Sequence, residues 1–285
     1  MRCSFLKTML ILLVASFLLA GCSTRFVYNK LDWLAPWYLD DYVTIESGQQ
    51  SSFKASLNSV LDWHRATQLI RYADFLATLS IDVEANVSQA KLAEQVYELD
   101  GFIQTLFTQF GQDFAPLMAQ MSAAQQAELI ENLDLKNQEY YKERVLIGEV
   151  ESKERSKERL TDFLDDWLDG LHANQEQMIV KWSAELKWLA PGFYKNRQAW
   201  SRHLRAIFSE HEVNKAQRIK DMFKDRRQFW SPELSEQFAY NQQVTVAFVV
   251  NLINSLNAEQ KVALLKNLKQ FEADFRSLAS QSDAT

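Results

Sequence analysis

Cysteine, glycine and proline are scarce in this sequence of 285 residues, which holds two cysteines, seven glycines and four prolines. The cysteines are Cys3 and Cys22, so residues 23–285 contain none. That part of the chain therefore has no disulfide, no thiolate metal site and no cysteine nucleophile. Few glycines and prolines mean few sharp turns, which favours long helices.

The short motifs of common enzyme classes are also missing. There is no glycine-rich phosphate loop, no Gly-x-Ser-x-Gly elbow and no His-Glu-x-x-His pair. Among the four histidines, His203 and His211 are eight residues apart, which is too far along a helix for them to share a metal ion. We therefore predict no catalytic residues, no metal site and no cofactor, and we predict that the protein is not an enzyme.

Two groups of titratable residues keep an alternative open. His64 falls on an apolar helical stripe, where we expect a packed histidine bonded to a neighbour, the alternative being a catalytic base. Asp165, Asp166 and Asp169 would suit acid–base chemistry if they converged. Beside Trp167 they fit the solvated face of an amphipathic helix better. His172 shows no catalytic or metal-ligand pattern.

The composition is that of a globular protein, with 47% hydrophobic and 24% charged residues. The net charge is −6, and it becomes −8 if Arg2 and Lys7 are removed with the first 21 residues. A strongly basic nucleic-acid-binding protein is therefore excluded as a description of the whole chain.

The first 22 residues have the layout of a secretory signal peptide that ends in a lipid-attachment site. Positive charges at Arg2 and Lys7 precede an apolar run over residues 9–19, which is too short to span a bilayer. The sequence Leu-Ala-Gly-Cys at residues 19–22 resembles the lipobox of bacterial lipoproteins. That resemblance implies cleavage between Gly21 and Cys22, with diacylglycerol on the Cys22 thiol and a further acyl chain such as palmitate on its amino group. The alternative is an ordinary signal peptide with a chance cysteine.

The residues after Cys22 predict how the protein would sit at a membrane. Ser23 occupies the position at which an aspartate would resemble an inner-membrane retention signal, so we expect the outer membrane, with the domain facing the periplasm. Residues 22–30 form a short lead-in with no flexible tether. Two places are open for the aromatic residues that follow, the headgroup region or the helical core. These aromatic residues are Trp33, Trp37, Tyr38 and Tyr42.

Several segments resemble an uncharacterised lipoprotein family of Gram-negative bacteria. They are residues 26–34 (Phe-Val-Tyr-Asn-Lys-Leu-Asp-Trp-Leu), 37–42 (Trp-Tyr-Leu-Asp-Asp-Tyr), 62–65 (Asp-Trp-His-Arg) and 71–72 (Arg-Tyr). The resemblance implies an all-helical periplasmic lipoprotein with no established activity. It assigns no functional residue besides Cys22.

Apolar residues recur every three or four positions from residue 53 to residue 278, which predicts an all-α, elongated multi-helix bundle without a sheet. We expect one long helix over residues 195–230, a buried helix rather than a strand around residues 244–250, and a last helix over residues 258–278. Pro116 should end or kink its helix. An alternating charge run over residues 149–159 predicts a solvated helix face. The predicted divisions are a signal peptide (1–21), the lead-in (22–30), two helical halves (31–148 and 149–280) and a disordered tail (281–285).

One pattern occurs three times: an apolar residue, a polar residue, two residues, glutamine, three residues and an apolar residue. Its polar and glutamine positions are Ser122 and Gln125, His172 and Gln175, and Asn257 and Gln260. This spacing predicts capping boxes at helix starts. The first and third copies also share Asn132/Asn267, and residues 31–36 echo residues 186–191, so we expect two related halves. The pattern also resembles the Leu-Thr-x-x-Gln element of periplasmic chaperones of the Spy type.

A basic stretch between residues 195 and 227 interrupts the acidic chain. It is either complementary to acidic helices of the same fold or a patch for an anionic partner such as lipid headgroups, lipopolysaccharide or peptidoglycan. The candidate patch residues are Arg202, Arg205, Arg218, Lys220, Lys224, Arg226 and Arg227.

The prediction of function is an outer-membrane-anchored periplasmic lipoprotein that acts as a non-enzymatic envelope interaction or assembly factor. Its partners would be the membrane, through the lipid, and an envelope protein or anionic envelope polymer, but no nucleic acid. One alternative is a chaperone-like binder of unfolded proteins. A second is an enzyme that acts on the cell wall.

Overall fold

A computed structural model describes residues 23–209 and 214–281 of the chain. Those residues form α-helices, two π-helical segments and connecting turns, and they contain no strand. The all-α multi-helix bundle predicted from the periodicity is therefore confirmed.

Twelve α-helices lie within the described residues. They are α1 (Ser23–Tyr28), α2 (Leu31–Leu39), α3 (Gln50–Trp63), α4 (Leu69–Ala85), α5 (Gln89–Ala119), α6 (Ala123–Tyr140), α7 (Gly148–Leu168), α8 (Ala173–Glu185), α9 (Ala190–Ser209), α10 (Lys215–Met222), α11 (Pro232–Asn254) and α12 (Ala258–Ala279). The π-helical segments, His64–Gln68 and Tyr141–Val145, follow α3 and α6 directly.

Most of the predicted helices are present. Residues 244–250 lie inside α11, and α12 ends one residue beyond the expected position. Pro116 lies in the last turn of α5, which ends three residues later at Ala119. In α7, Lys153 pairs with Glu149 and Arg155 with Glu151, each at 2.8 Å, so the alternating charge run is a solvated face with i,i+4 pairs.

The single long helix expected over residues 195–230 is wrong. Helix α9 ends at Ser209, α10 covers Lys215–Met222, and the chain then follows turns to residue 230. The periodicity misled because the turn continues to bury apolar side chains: Phe223 is 6% exposed. A Cβ placed at Gly111 of α5 would lie 2.5 Å from the Cβ of Phe223, so the absence of a side chain at Gly111 allows this turn to pack against α5.

Three clusters of buried apolar residues hold the helices together. The first joins Val43, Leu129 and Ile219, and the second joins Val83 and Val246, so each draws on both sides of the predicted division at residue 148. The third, around Leu168 and Ile179, uses only residues from the C-terminal side. The two predicted halves therefore share two of the three clusters.

The glutamine pattern marks helix starts, as predicted. Ser122 caps α6 and Asn257 caps α12, and in both boxes the glutamine reaches back to the N-cap amide. At α8, Gln175 Oε1 accepts from the amide of His172 at 3.0 Å. A fourth copy precedes α3, where Gln49 Oε1 accepts from the amide of Glu46 at 3.2 Å.

The four glutamines bind one another in two reciprocal pairs. In the N-terminal glutamine pair, each amide of Gln49 and Gln125 donates to the other, at 3.0 and 2.6 Å. The C-terminal glutamine pair, Gln175 and Gln260, repeats this at 3.0 and 2.9 Å.

The surroundings of the two pairs also match. Gln125 donates to the carbonyl of Thr44, and Gln260 donates to that of Gly170, at 2.8 Å in both cases. The related asparagines also make equivalent hydrogen bonds: Asn132 donates to the carbonyl of Tyr42, and Asn267 donates to that of Trp167. The echo between residues 122–133 and 257–268 therefore corresponds to one structural unit built twice.

The second echo has no such counterpart. Residues 31–36 lie in α2, whereas residues 186–189 are not helical and α9 begins only at Ala190. The shared letters therefore occur in different local structures.

Candidate functional site

The N-terminal helix is held firmly against the end of the chain. Gly21 and Cys22, the predicted cleavage and lipidation residues, lie outside the described residues, and α1 follows them at once. Arg25 Nε donates to Asp274 Oδ1 of α12 at 2.7 Å, and the side chain of Asp274 is fully buried. Gln270 donates to the same oxygen at 3.2 Å. The pair of half-exposed Arg25 with buried Asp274 fixes α1 on the bundle.

His64 completes this junction. Its Nδ1 shares a hydrogen bond of 2.8 Å with the hydroxyl of Tyr28, on which its ring also stacks. Burial, with a smaller contribution from the charge of Arg65, lowers the pKa of His64 to about 4, while burial raises the pKa of Tyr28 to about 12. His64 is thus a packed histidine bonded to a neighbour, as the sequence predicts.

Arg65, in the π-helical segment after α3, contacts both α12 and the N-terminal segment that begins with α1. Its guanidinium lies 4.9 Å from the centre of the Tyr28 ring and donates to Asn29 Oδ1 and to the carbonyl of Leu278. The last two residues of the motif Asp-Trp-His-Arg, His64 and Arg65, therefore dock the N-terminal segment. Because His64 begins a π-helical segment, this junction also contains the kind of bulge that often marks a functional position in a helix.

Helix α2 is apolar but buries none of its residues. Trp33 and Tyr38 are each 61% exposed, and Phe26 of α1 is 65% exposed. For Trp33 and Tyr38, the alternative that they pack in the helical core is therefore wrong. Their side chains face outwards, whereas six of the nine residues of α2 are half-buried.

The other two aromatic residues of this segment are half-buried. They are Trp37, within α2, and Tyr42, which follows it. The hydroxyl of Tyr42 lies 3.2 Å from that of Tyr38. Burial raises the pKa of Tyr42 to about 12, and the hydrogen bond with Tyr38 adds to the rise.

Beneath α2 lies an apolar cavity of about 490 Å³, which we call the α2 cavity. Its lining contains no charged residue. Its walls come from α2, α3, α5, α6, α9 and the turn after α10, and include Leu39, Phe53, Phe114, Met118, Leu133, Trp200 and Phe223.

Four of the seven candidate cations of the basic stretch form ion pairs with acids of the same chain. Arg226 and Arg227 both pair with Asp100 of α5. Two further ion pairs are Arg205 with Asp134 at 2.5 Å and Lys224 with Asp221 at 2.6 Å. The guanidinium of Arg227 also lies 5.0 Å from the ring centres of Trp230 and Phe238.

These contacts favour complementarity within the fold over a patch of free charge. Burial, together with the neighbouring charge of Arg227, lowers the pKa of Arg226. Arg202 is exposed, and Arg218 and Lys220 are half-buried. A role of the seven candidate residues towards an anionic partner stays a prediction.

The remaining titratable candidates do not converge. Asp165, Asp166 and Asp169 are all exposed at the end of α7, as expected for a solvated face. His203 lies against the ring of Phe229, and His211 is outside the described residues. Within residues 23–209 and 214–281, no group of three or more histidine, cysteine, aspartate or glutamate residues is arranged to hold a metal ion.

Sequence reasoning missed two features of this region. The helix start at Gln49 carries the same spacing as the three recognised copies, from Ile45 to Phe53, so the signal was present. The α2 cavity left no local signal, because its walls come from helices that are far apart in the sequence.

Comparisons with known proteins give one family. Neither the curated proteins nor the solved structures returned a match. Among the described residues, no helix has both the length and the apolar character needed to cross a membrane. A family model, described as a family of unknown function (DUF6279), matches residues 41–235, from just after α2 to the start of α11. Since this match covers more than half of the chain, the protein belongs to the DUF6279 family.

Proposed function

We propose that the protein is a periplasm-facing lipoprotein of the outer membrane, anchored by acyl chains on Cys22, and that it acts as a non-enzymatic envelope interaction or assembly factor. The observation that carries the proposal is the exposure of Phe26, Trp33 and Tyr38 directly after the predicted lipidation site. Large aromatic side chains with a polar edge are favoured at the level of lipid headgroups.

The junction around Arg25 supports an orienting role for this segment. One acyl chain gives only marginal membrane attachment, whereas two or three give a stable one. With α1 fixed to α12 through Arg25 and Asp274, such an anchor would hold the whole bundle against the bilayer rather than on a flexible tether. The exposed side of α2 would then face the headgroups.

An anionic partner in the envelope would bind exposed cations of the protein. Arg202, which is exposed, is a candidate for contact with an anionic polymer or protein. The chaperone alternative finds little support in the glutamine elements, because Gln125, Gln175 and Gln260 are buried in reciprocal pairs.

Membrane fractionation of Cys22→Ala, with Cys3→Ala as the matched control, tests the anchor. The wild type and Cys3→Ala should sediment with outer membranes and carry the mass of two or three acyl chains on the mature protein. Cys22→Ala should lose the covalent lipid mass, and the share of the protein that sediments with membranes should fall. If Cys22→Ala stays on membranes with no less lipid, the anchor is refuted, and sedimentation of the wild type with inner membranes would refute the outer-membrane location.

A further inference from the structure

The walls of the α2 cavity define the chemistry of what fits inside it. Aliphatic and aromatic side chains and two methionines line it, with polar groups at a few positions such as Ser52, Gln49 and Gln120. Of these, Gln49 already has its amide engaged with Gln125. An ionised group inside would find no counter-ion, so the buried part of a ligand must be uncharged and apolar.

The size of the α2 cavity is that of a ligand site. Packed protein interiors contain few voids larger than a water molecule. A volume of about 490 Å³ lies within the range of small-molecule pockets, roughly 300–1,000 Å³. Water fills a cavity only where polar groups bind it, and the walls of the α2 cavity offer few of them. Met118 and Met121 add flexible side chains that adapt to an occupant of variable shape.

The cover of the α2 cavity is suited to admit such an occupant. Ala35, Tyr38 and Leu39 of α2 line the cavity, although α2 buries none of its residues. Tyr38 and Phe110, which is 40% exposed, mark an opening to the surface. Of the α2 residues, Leu39 packs against the first apolar cluster, but no residue of the helix is fully buried, so its outer side can move more readily than the core helices.

We propose that the α2 cavity binds an acyl chain of a membrane lipid, with the headgroup left outside. The preference for an acyl chain follows from the uncharged walls and the volume. The membrane as its source rests on the proposed function, because the opening beside Tyr38 lies on the face of α2 that would meet the bilayer. A chain in the cavity would tie the bundle to its membrane in addition to the anchor on Cys22.

Binding of fatty acids to full-length Cys22→Ala protein tests the cavity apart from the anchor. Displacement of a fluorescent fatty acid by dodecanoic, tetradecanoic and hexadecanoic acid should show Kd falling about fourfold per added CH₂ until the cavity is full. Hexadecanol should bind within about threefold of hexadecanoic acid, because no counter-ion lies inside. A Kd independent of chain length, or displacement of the probe by unfolded polypeptide at the same concentration, overturns the proposal.

Two variants test whether the bound acyl chain lies in the α2 cavity. Ala35→Phe fills the cavity and should weaken binding of hexadecanoic acid at least tenfold, whereas Ala55→Phe, on the exposed face of α3, should leave it unchanged. Equal affinities of the two variants would contradict the proposal. If Ala35→Phe fails to fold, binding of a brominated fatty acid locates the site instead. The bromine should quench the fluorescence of Trp200 in the cavity wall, and Trp200→Phe should remove that quenching. Quenching that persists in Trp200→Phe overturns the site.

The fluorescent fatty acid also shows whether the acyl chain in the cavity comes from a membrane lipid or from Cys22. Lipidated wild type and Cys22→Ala should bind equal amounts of free fatty acid, and both should take up acyl chains from phosphatidylethanolamine and phosphatidylglycerol vesicles. If only Cys22→Ala binds, the chain attached to Cys22 occupies the cavity and the membrane-lipid source is wrong. If Cys22→Ala binds fatty acids but the wild type carries no lipid, the proposed anchor fails while the acyl-chain site stands.

Discussion

Gln175→Ala is expected to lower the free energy of unfolding by about 2–4 kcal/mol, because several buried polar groups lose their partner at once. Gln175 is completely buried. It accepts from the amide of His172 and exchanges two hydrogen bonds with Gln260, which is itself 3% exposed. Alanine leaves the amide of Gln260 short of partners and also opens a small cavity.

Chemical denaturation of this variant has a matched control two residues away. Gln177 lies on the exposed face of the same helix α8, so Gln177→Ala should change the free energy of unfolding by less than about 0.5 kcal/mol. In a double-mutant cycle, Gln175→Ala and Gln260→Ala should couple by at least about 1 kcal/mol. Equal, small effects of the two alanine variants would mean that the glutamine pair does not stabilise the fold.

Arg25→Ala should lower the free energy of unfolding by about 2 kcal/mol, because it leaves the fully buried carboxylate of Asp274 without its cation. The expected loss lies below that for a fully buried pair, since the side chain of Arg25 is 44% exposed and solvent screens part of its charge. The same change should release α1, which hydrogen exchange of the amides in residues 24–28 would report.

Helix α12 provides the control for Arg25. Arg276 pairs with Asp74 and Glu272 on the surface, so Arg276→Ala should cost less than about 1 kcal/mol. Adding Asp274→Asn to Arg25→Ala should restore part of the lost stability, because the buried charge is then absent. If Arg25→Ala is no worse than Arg276→Ala and α1 stays protected, the docking of the N-terminal segment rests on other contacts.

Local features of this protein could be predicted from the sequence because they depend on residues that are close in the chain. The capping boxes at Ser122 and Asn257 and the charge pairs of α7 are of this kind. The reciprocal glutamine pairs could not be predicted, because they join residues 76 and 85 positions apart. The spacing of the pattern predicts that each glutamine lies at a helix start, but it does not predict that two of these helix starts face each other.

The candidate site shows the same limit. Apolar periodicity cannot tell a buried helix from an apolar one that rests on the surface, which is why Trp33 and Tyr38 fitted the core as well as the headgroup region. Nor can it see that Phe223 continues a buried stripe through a turn, since burial there depends on the close approach to Gly111. Both errors arise where tertiary contacts decide the exposure of a side chain.

Fluorescence quenching by lipids brominated near the headgroup tests most directly whether the aromatic segment lies at the membrane surface. With the lipidated full-length protein in vesicles, Trp33→Phe should remove the largest share of the quenching. Trp182→Phe should remove none, because Trp182 packs on Phe248 and donates a hydrogen bond to Thr245 beside the third apolar cluster. Quenching that is unchanged in Trp33→Phe would contradict the account, because α2 would then face away from the bilayer.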